Sequence, residues 1–96
     1  MVMIEATDTQ IKKALITISV EQALLEMGTP VLDEVTRALY SKYNCYIPDC
    51  LEHPDYLKSV LKNLYGNGYS SIVSSIHKYL DEFINQKPIE EFLIAI

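Results

Sequence analysis

The chain has 96 residues, 49% hydrophobic and 22% charged, with 3 Gly, 4 Pro, 2 Cys and no Trp. Thirteen acidic residues against eight basic ones give a formal charge of −5 and an isoelectric point near 4.8. The length fits one compact domain. The low Gly and Pro content argues against a fibrous or disordered chain, and two Cys are too few for a disulfide scaffold.

Residues 1–7 read as a lead-in. Thr7 or Asp8 can cap a helix that runs from 8 to Met27, where Gly28 stops it by reaching the left-handed conformation without a side-chain clash. At about 100° per residue, its apolar residues fall on two faces. Ile11, Ala14, Leu15, Ile18 and Leu25 share one; Ile16, Val20, Ala23, Leu24 and Met27 lie nearly opposite. A helix on the outside of a small monomer shows one apolar stripe, so the pattern predicts cover on both sides.

Thr29-Pro30 opens a second helix over 30–44, with Thr as cap and Pro in the first turn, where its missing N–H costs nothing. Cys45 to Glu52 is irregular: Tyr46-Ile47 is biased toward extended backbone by Pro48, and Asp49-Cys50-Leu51 suggests a turn. His53-Pro54-Asp55 starts a third helix over 54–65, which turns Leu57, Val60, Leu61 and Leu64 inward and ends at Gly66-Asn67-Gly68. A fourth helix is expected over 69–84, with Ile72, Val73, Ile76, Leu80, Phe83 and Ile84 as its stripe, and Pro88 begins a short fifth over 88–95. No segment alternates apolar and polar residues for long enough to predict sheet. The expected fold is therefore all-α, a four-helix bundle with a short fifth C-terminal helix, forming a single domain over 1–96.

Charge narrows the partners. Residues 1–28 hold four acids and two bases, 29–66 five and four, and 67–96 four and two, so no segment is net positive. Affinity for a polyanion comes mostly from phosphate neutralisation, and nucleic acid is not the expected partner. The alternative is a regulator that reads DNA with the third helix, although that helix offers only Lys58 and Lys62. No apolar run approaches the roughly 18 residues of a membrane span. Glu5 and Asp8 stand where a signal peptide would carry positive charge. The expected setting is the cytoplasm, with reduced thiols and no membrane partner.

Chemistry-bearing residues are few. Cys45, Cys50, His53 and His77 have the ligand types of a tetrahedral zinc site, but structural sites space their paired ligands more closely. The competing reading makes both Cys small buried hydrophobes and places His53 at a helix start. Cys50 lies just before that start, where a reactive thiol is conceivable. No nucleophile motif and no phosphate-cradling loop occurs, and Ser70, Ser71 and Ser74 near His77 belong mostly to a polar helix side. No catalytic residue and no cofactor is expected. Seven Tyr suit either an interface or the boundary of a small core, and Tyr43, Tyr46 and Tyr56 are candidates for the rim of a pocket for an apolar or aromatic ligand between helices. The apolar tail Phe92 to Ile96 either docks on its own bundle or covers a partner.

From Glu21 onward the chain resembles the Nitrosopumilus-type output domains of ammonia-oxidising archaea. The residues that carry the likeness are Glu21-Gln22-Ala23-Leu24, Cys50-Leu51-Glu52-His53-Pro54-Asp55-Tyr56-Leu57, Leu61-Lys62-Asn63-Leu64-Tyr65-Gly66, Ile72 to Ile76, and Pro88-Ile89-Glu90-Glu91-Phe92-Leu93. The resemblance implies a cytoplasmic all-helical module acting downstream in signal transduction, with no catalytic residues to transfer. With the two-striped first helix, it yields the expectation of a non-catalytic regulatory or interaction module, a homodimer whose seam is Ile16, Val20, Ala23, Leu24 and Met27.

Overall fold

The computed structural model describes residues 8–96; the expected lead-in over 1–7 lies outside the described residues. The chain is all-α, with α1 (Asp8–Met27), α2 (Thr29–Tyr43), α3 (Pro54–Tyr65), α4 (Tyr69–Leu80) and α5 (Lys87–Ala95), and no strand among the described residues. Three short 3-10 segments, Ile47–Leu51, Gly66–Gly68 and Asp81–Phe83, make the connections tight.

Helix boundaries follow local chemistry. Gly28 separates α1 from α2 at φ +126°, a region L side chains rarely adopt, and a Cβ there would meet Pro30 Cδ at 3.6 Å. Gly28, not Thr29, occupies the position before the first turn of α2, and no side chain caps that end. At the far end of α2, Asn44 turns left-handed (φ 53°, ψ 41°) and its N–H reaches back to the Leu39 and Tyr40 carbonyls. Asn tolerates this conformation better than most residues. Pro30, Pro54 and Pro88 each sit in a first turn, where no N–H is missed. α4 is shorter than its periodicity predicts: after Leu80 the chain tightens into a 3-10 turn, although Phe83 still packs on the core.

α1 organises the rest. It lies against the Ile47–Leu51 turn, α4 and α2, and it also meets α5. Ile16, Val20, Ala23 and Leu24 have no exposed surface and join Val35, Leu39, Ile47, Cys50, Leu57, Ile76 and Phe92 in one core. This placement corrects the expected seam: Ile16, Val20, Ala23 and Leu24 are covered by the chain's own elements, and only Met27 of that set is exposed. The residues left outside belong to the opposite face, with Ile11 at 49%, Ile18 at 59% and Leu25 at 41% exposure. The tail docks on its own chain through Phe92, Leu93 and Ile96, with the Tyr69 hydroxyl donating to the Ile96 carbonyl.

The two faces of α1 separate in a stability measurement. Leu24→Ala should cost about 2–5 kcal/mol in urea unfolding, because it opens a hole in a filled core. Ile18→Ala on the outer face should stay within about 0.5–1 kcal/mol when measured in dilute solution, where the chain is a monomer and Ile18 behaves as a surface position. Equal costs would show that the faces are misassigned.

Candidate functional site

Two features stand out from the packed core: a polar cavity beside the Ile47–Leu51 turn, and the uncovered outer face of α1.

The cavity, about 340 Å³, is lined by Lys13, Tyr43, Asn44, Cys45, Asp49, Glu52, His53 and Tyr56. Its position is a consequence of α1 burial, since Ile47 and Cys50 anchor the turn in the core. The turn is held locally: the Tyr46 N–H donates to Asp49 Oδ2 at 2.9 Å, and the Asp49 N–H donates to the Tyr46 carbonyl at 3.0 Å. On one wall, Lys13 of α1 meets Glu52 at 2.8 Å. Hydrogen bonding between the two raises the Lys13 pKa and lowers that of Glu52, so each holds the other charged. On the other wall the Tyr56 ring is stacked with Tyr43 (centroids 4.1 Å apart, planes 3° off parallel) and with His53 (4.6 Å, 10°). The Tyr43 hydroxyl and Ser59 Oγ lie 3.0 Å apart, which links α2 to α3.

Of the residues read as a pocket rim, Tyr43 and Tyr56 are in the wall. Tyr46 is not: its ring is exposed beside Tyr40, with centroids 5.5 Å apart. The lining is charged and amide-bearing as well as aromatic, unlike the apolar pocket expected between helices. Lys13 and Glu52 were missed in the sequence because they are far apart along the chain and only the tertiary packing of the turn brings them together.

The thiols are free. Burial pushes both upward, and Cys50, fully buried and beside Cys45, Asp49 and Asp55, reaches about 12. A thiol kept protonated is a poor nucleophile and a poor metal ligand. Cys45 and His53 share the cavity, but His77 is exposed on α4 and takes no part in the lining. Among the described residues, no group of three or more His, Cys, Asp or Glu is placed to hold a metal ion. The set Cys45, Cys50, His53 and His77 is therefore not brought together as a zinc site. His53 stands before α3 without a side-chain cap hydrogen bond; its ring is used in the stack.

The outer face of α1 is different in kind. Ile11, Ala14, Ile18 and Leu25 are exposed, Leu15 is half-buried at the edge, and Gln22 is the one polar residue within the strip. Positions 11, 15, 18, 22 and 25 follow the 4-3-4-3 spacing of a helix-pairing seam. At the C-terminal end, Glu26 accepts from Tyr79 at 2.7 Å and from Lys78 at 3.4 Å, and the Tyr79 bond holds its pKa down. α3, the other candidate contact surface, offers few basic groups: Lys62 lies over the Tyr69 ring at 5.3 Å, and Lys58 is half-buried.

Compared with known proteins, the chain matches no family model, and no curated protein and no solved structure is significantly similar to it. Nor is any helix among the described residues long and apolar enough to cross a membrane.

The buried thiols set a pH dependence. An unfolded thiol ionises near pH 8.5, whereas Cys50 holds its proton to about 12. Between those values the native state binds more protons than the unfolded one, so stability falls as pH rises. The urea midpoint should be lower at pH 10 than at pH 8, and Cys50→Ala should flatten that difference. Native protein at pH 8 should also resist alkylation at Cys50 until urea is added.

Proposed function

We propose that this chain is a non-catalytic interaction module of a regulatory or signalling system, acting in the cytoplasm as a homodimer. The observation that carries the reading is the outer face of α1: a helix whose inner side is saturated by its own chain still presents aliphatic residues in a continuous strip. Exposed apolar residues scattered singly are ordinary. A strip at seam spacing along one helix marks an association surface. The finer architecture we propose is a bundle of α1 to α4, with α5 closing one side by inserting Ile89, Phe92 and Leu93 into the common core.

Three further points support a binding role over a catalytic one. The thiols are held protonated, and Lys13 and Glu52 neutralise each other. The likeness of Glu21-Gln22-Ala23-Leu24 and the His53-Pro54-Asp55-Tyr56-Leu57 segment to archaeal output domains points the same way, toward a module downstream of a signal. The acidic balance supports a protein partner over a nucleic acid.

Light scattering at high micromolar concentration should give twice the 10.9 kDa chain mass. Ile18→Glu with Leu25→Glu should return the protein to the single-chain mass with its helical circular dichroism unchanged. A monomeric wild type would remove the homodimer reading, and unfolding of the double variant would show that the strip is part of the core.

A further inference from the structure

We infer that the polar cavity beside the Ile47–Leu51 turn binds a guanidinium group, with the Asp49 carboxylate as its counter-ion and the Tyr43, Tyr56 and His53 rings as the surface it lies along. The first argument is the charge left over once every internal pair is counted. The cavity holds one lysine, Lys13, and that lysine is committed to Glu52 at 2.8 Å. Asp49 has no ion pair among the described residues. Its side chain accepts one hydrogen bond, at Oδ2 from the Tyr46 N–H, whereas a carboxylate offers about four acceptor positions. The uncompensated charge is felt across the cavity. After burial, it pushes the Cys45 and Cys50 thiols further up; after the Glu52 hydrogen bond, it helps keep Lys13 protonated.

The second argument is the chemistry of the walls. An anion would meet Asp49 and Glu52 with the cavity's lysine already engaged. A neutral apolar body would cover Asp49 and the Lys13–Glu52 pair without giving them a partner, which is costly. A metal ion needs several grouped donors, and no such group of three occurs among the described residues. An organic cation is left, and the rings decide which kind. An ammonium is compact and strongly hydrated. A guanidinium is flat and more weakly hydrated, and it can lie along an aromatic face while giving two parallel N–H bonds to one carboxylate. Here a carboxylate and a set of near-parallel rings, Tyr56 with Tyr43 at 3° and with His53 at 10°, line the same cavity of about 340 Å³. That volume lies at the small end of ligand sites, which suits an arginine-type group rather than a large cofactor. The Lys13–Glu52 pair also acquires a role: by holding Lys13, Glu52 keeps the lysine from closing on Asp49 and filling the site from within.

Titration of the full chain with butylguanidinium, followed by backbone amide NMR shifts, tests the site. Saturable shifts should map to Lys13 and to the segment from Tyr43 to Tyr56, at concentrations that leave the circular dichroism unchanged. Butylammonium, with the same stem, should bind several-fold more weakly. Asp49→Asn keeps an acceptor for the Tyr46 N–H and removes only the charge; it should weaken butylguanidinium about tenfold. Lys13→Gln should strengthen binding, because Glu52 then adds its charge to that of Asp49. Glu52→Gln, at an exposed position, should weaken it, because Lys13 is then released toward Asp49. Damage to the fold would weaken binding in both variants, so the opposite signs separate an electrostatic site from a structural effect. A Gly-Arg-Gly peptide with blocked ends separates the sources of the group: tighter binding than butylguanidinium assigns the site to an arginine side chain of a protein, and weaker binding assigns it to a small free guanidine.

Absence of saturable shifts in the cavity, or an Asp49→Asn titration identical to wild type, would overturn the site. Equal binding of butylammonium would overturn the guanidinium assignment, and weaker binding in Lys13→Gln would overturn the role given to the ion pair.

Discussion

The structure depends on the burial of one side of α1. Ile16, Val20, Ala23 and Leu24 are completely enclosed, and each such aliphatic side chain stabilises the fold by about 1.5–3 kcal/mol relative to exposure. Their partners come from every other part of the chain: the start and middle of α2, the Ile47–Leu51 turn, α3, α4 and the closing helix. Once the turn is docked by Ile47 and Cys50, Lys13 is delivered to Glu52 and the polar cavity follows. The ion pair is a consequence of core packing rather than its cause, and its groups lie near water, where such pairs contribute little.

Much of this was legible in the residues themselves. The starts of α2, α3 and α5 were marked by Pro30, Pro54 and Pro88, and the break after Met27 by Gly28, because those residues act through local backbone geometry. The inward faces of α3 and α4 were legible because their apolar residues keep one helical stripe, but Leu64 and Ile84, at the ends of those stripes, are left exposed. The end of α4 was not: Phe83 and Ile84 continue the period, while the backbone at Asp81–Phe83 winds tighter than the pattern can reveal. Periodicity reports which residues are apolar, and a 3-10 turn changes which way they point.

The assignment of α1's two faces shows the same limit. Each face is apolar, and their vectors nearly cancel, so periodicity demonstrates that both exist without ranking them. A cue was present in the detail. The enclosed face admits only the small hydroxyl of Ser19 among Ile16, Val20, Ala23 and Leu24, whereas the opposite face is broken by the amide of Gln22 and bordered by Glu21 and Glu26. Desolvating an amide without a partner costs more than leaving a methyl group wet, so the interrupted face is the one a folding chain leaves outside. The cavity lay further from view: Tyr43, Tyr56, Cys45 and His53 share it, but Lys13 enters only through tertiary packing, and Tyr46 leaves it because its backbone is extended.

The outer strip then has a physical logic of its own. A chain of this size cannot enclose two sides of a long central helix with four short neighbours, since small domains bury a smaller share of their surface. Some aliphatic area on α1 has to remain, and its arrangement decides whether it is a liability or an interface. Scattered, it would add little and specify nothing. Here it is collected at seam spacing and interrupted once, by Gln22. On the proposed association reading, covering this strip would finish the burial that folding begins, with one side of α1 as the core of the monomer and the other as its contact surface.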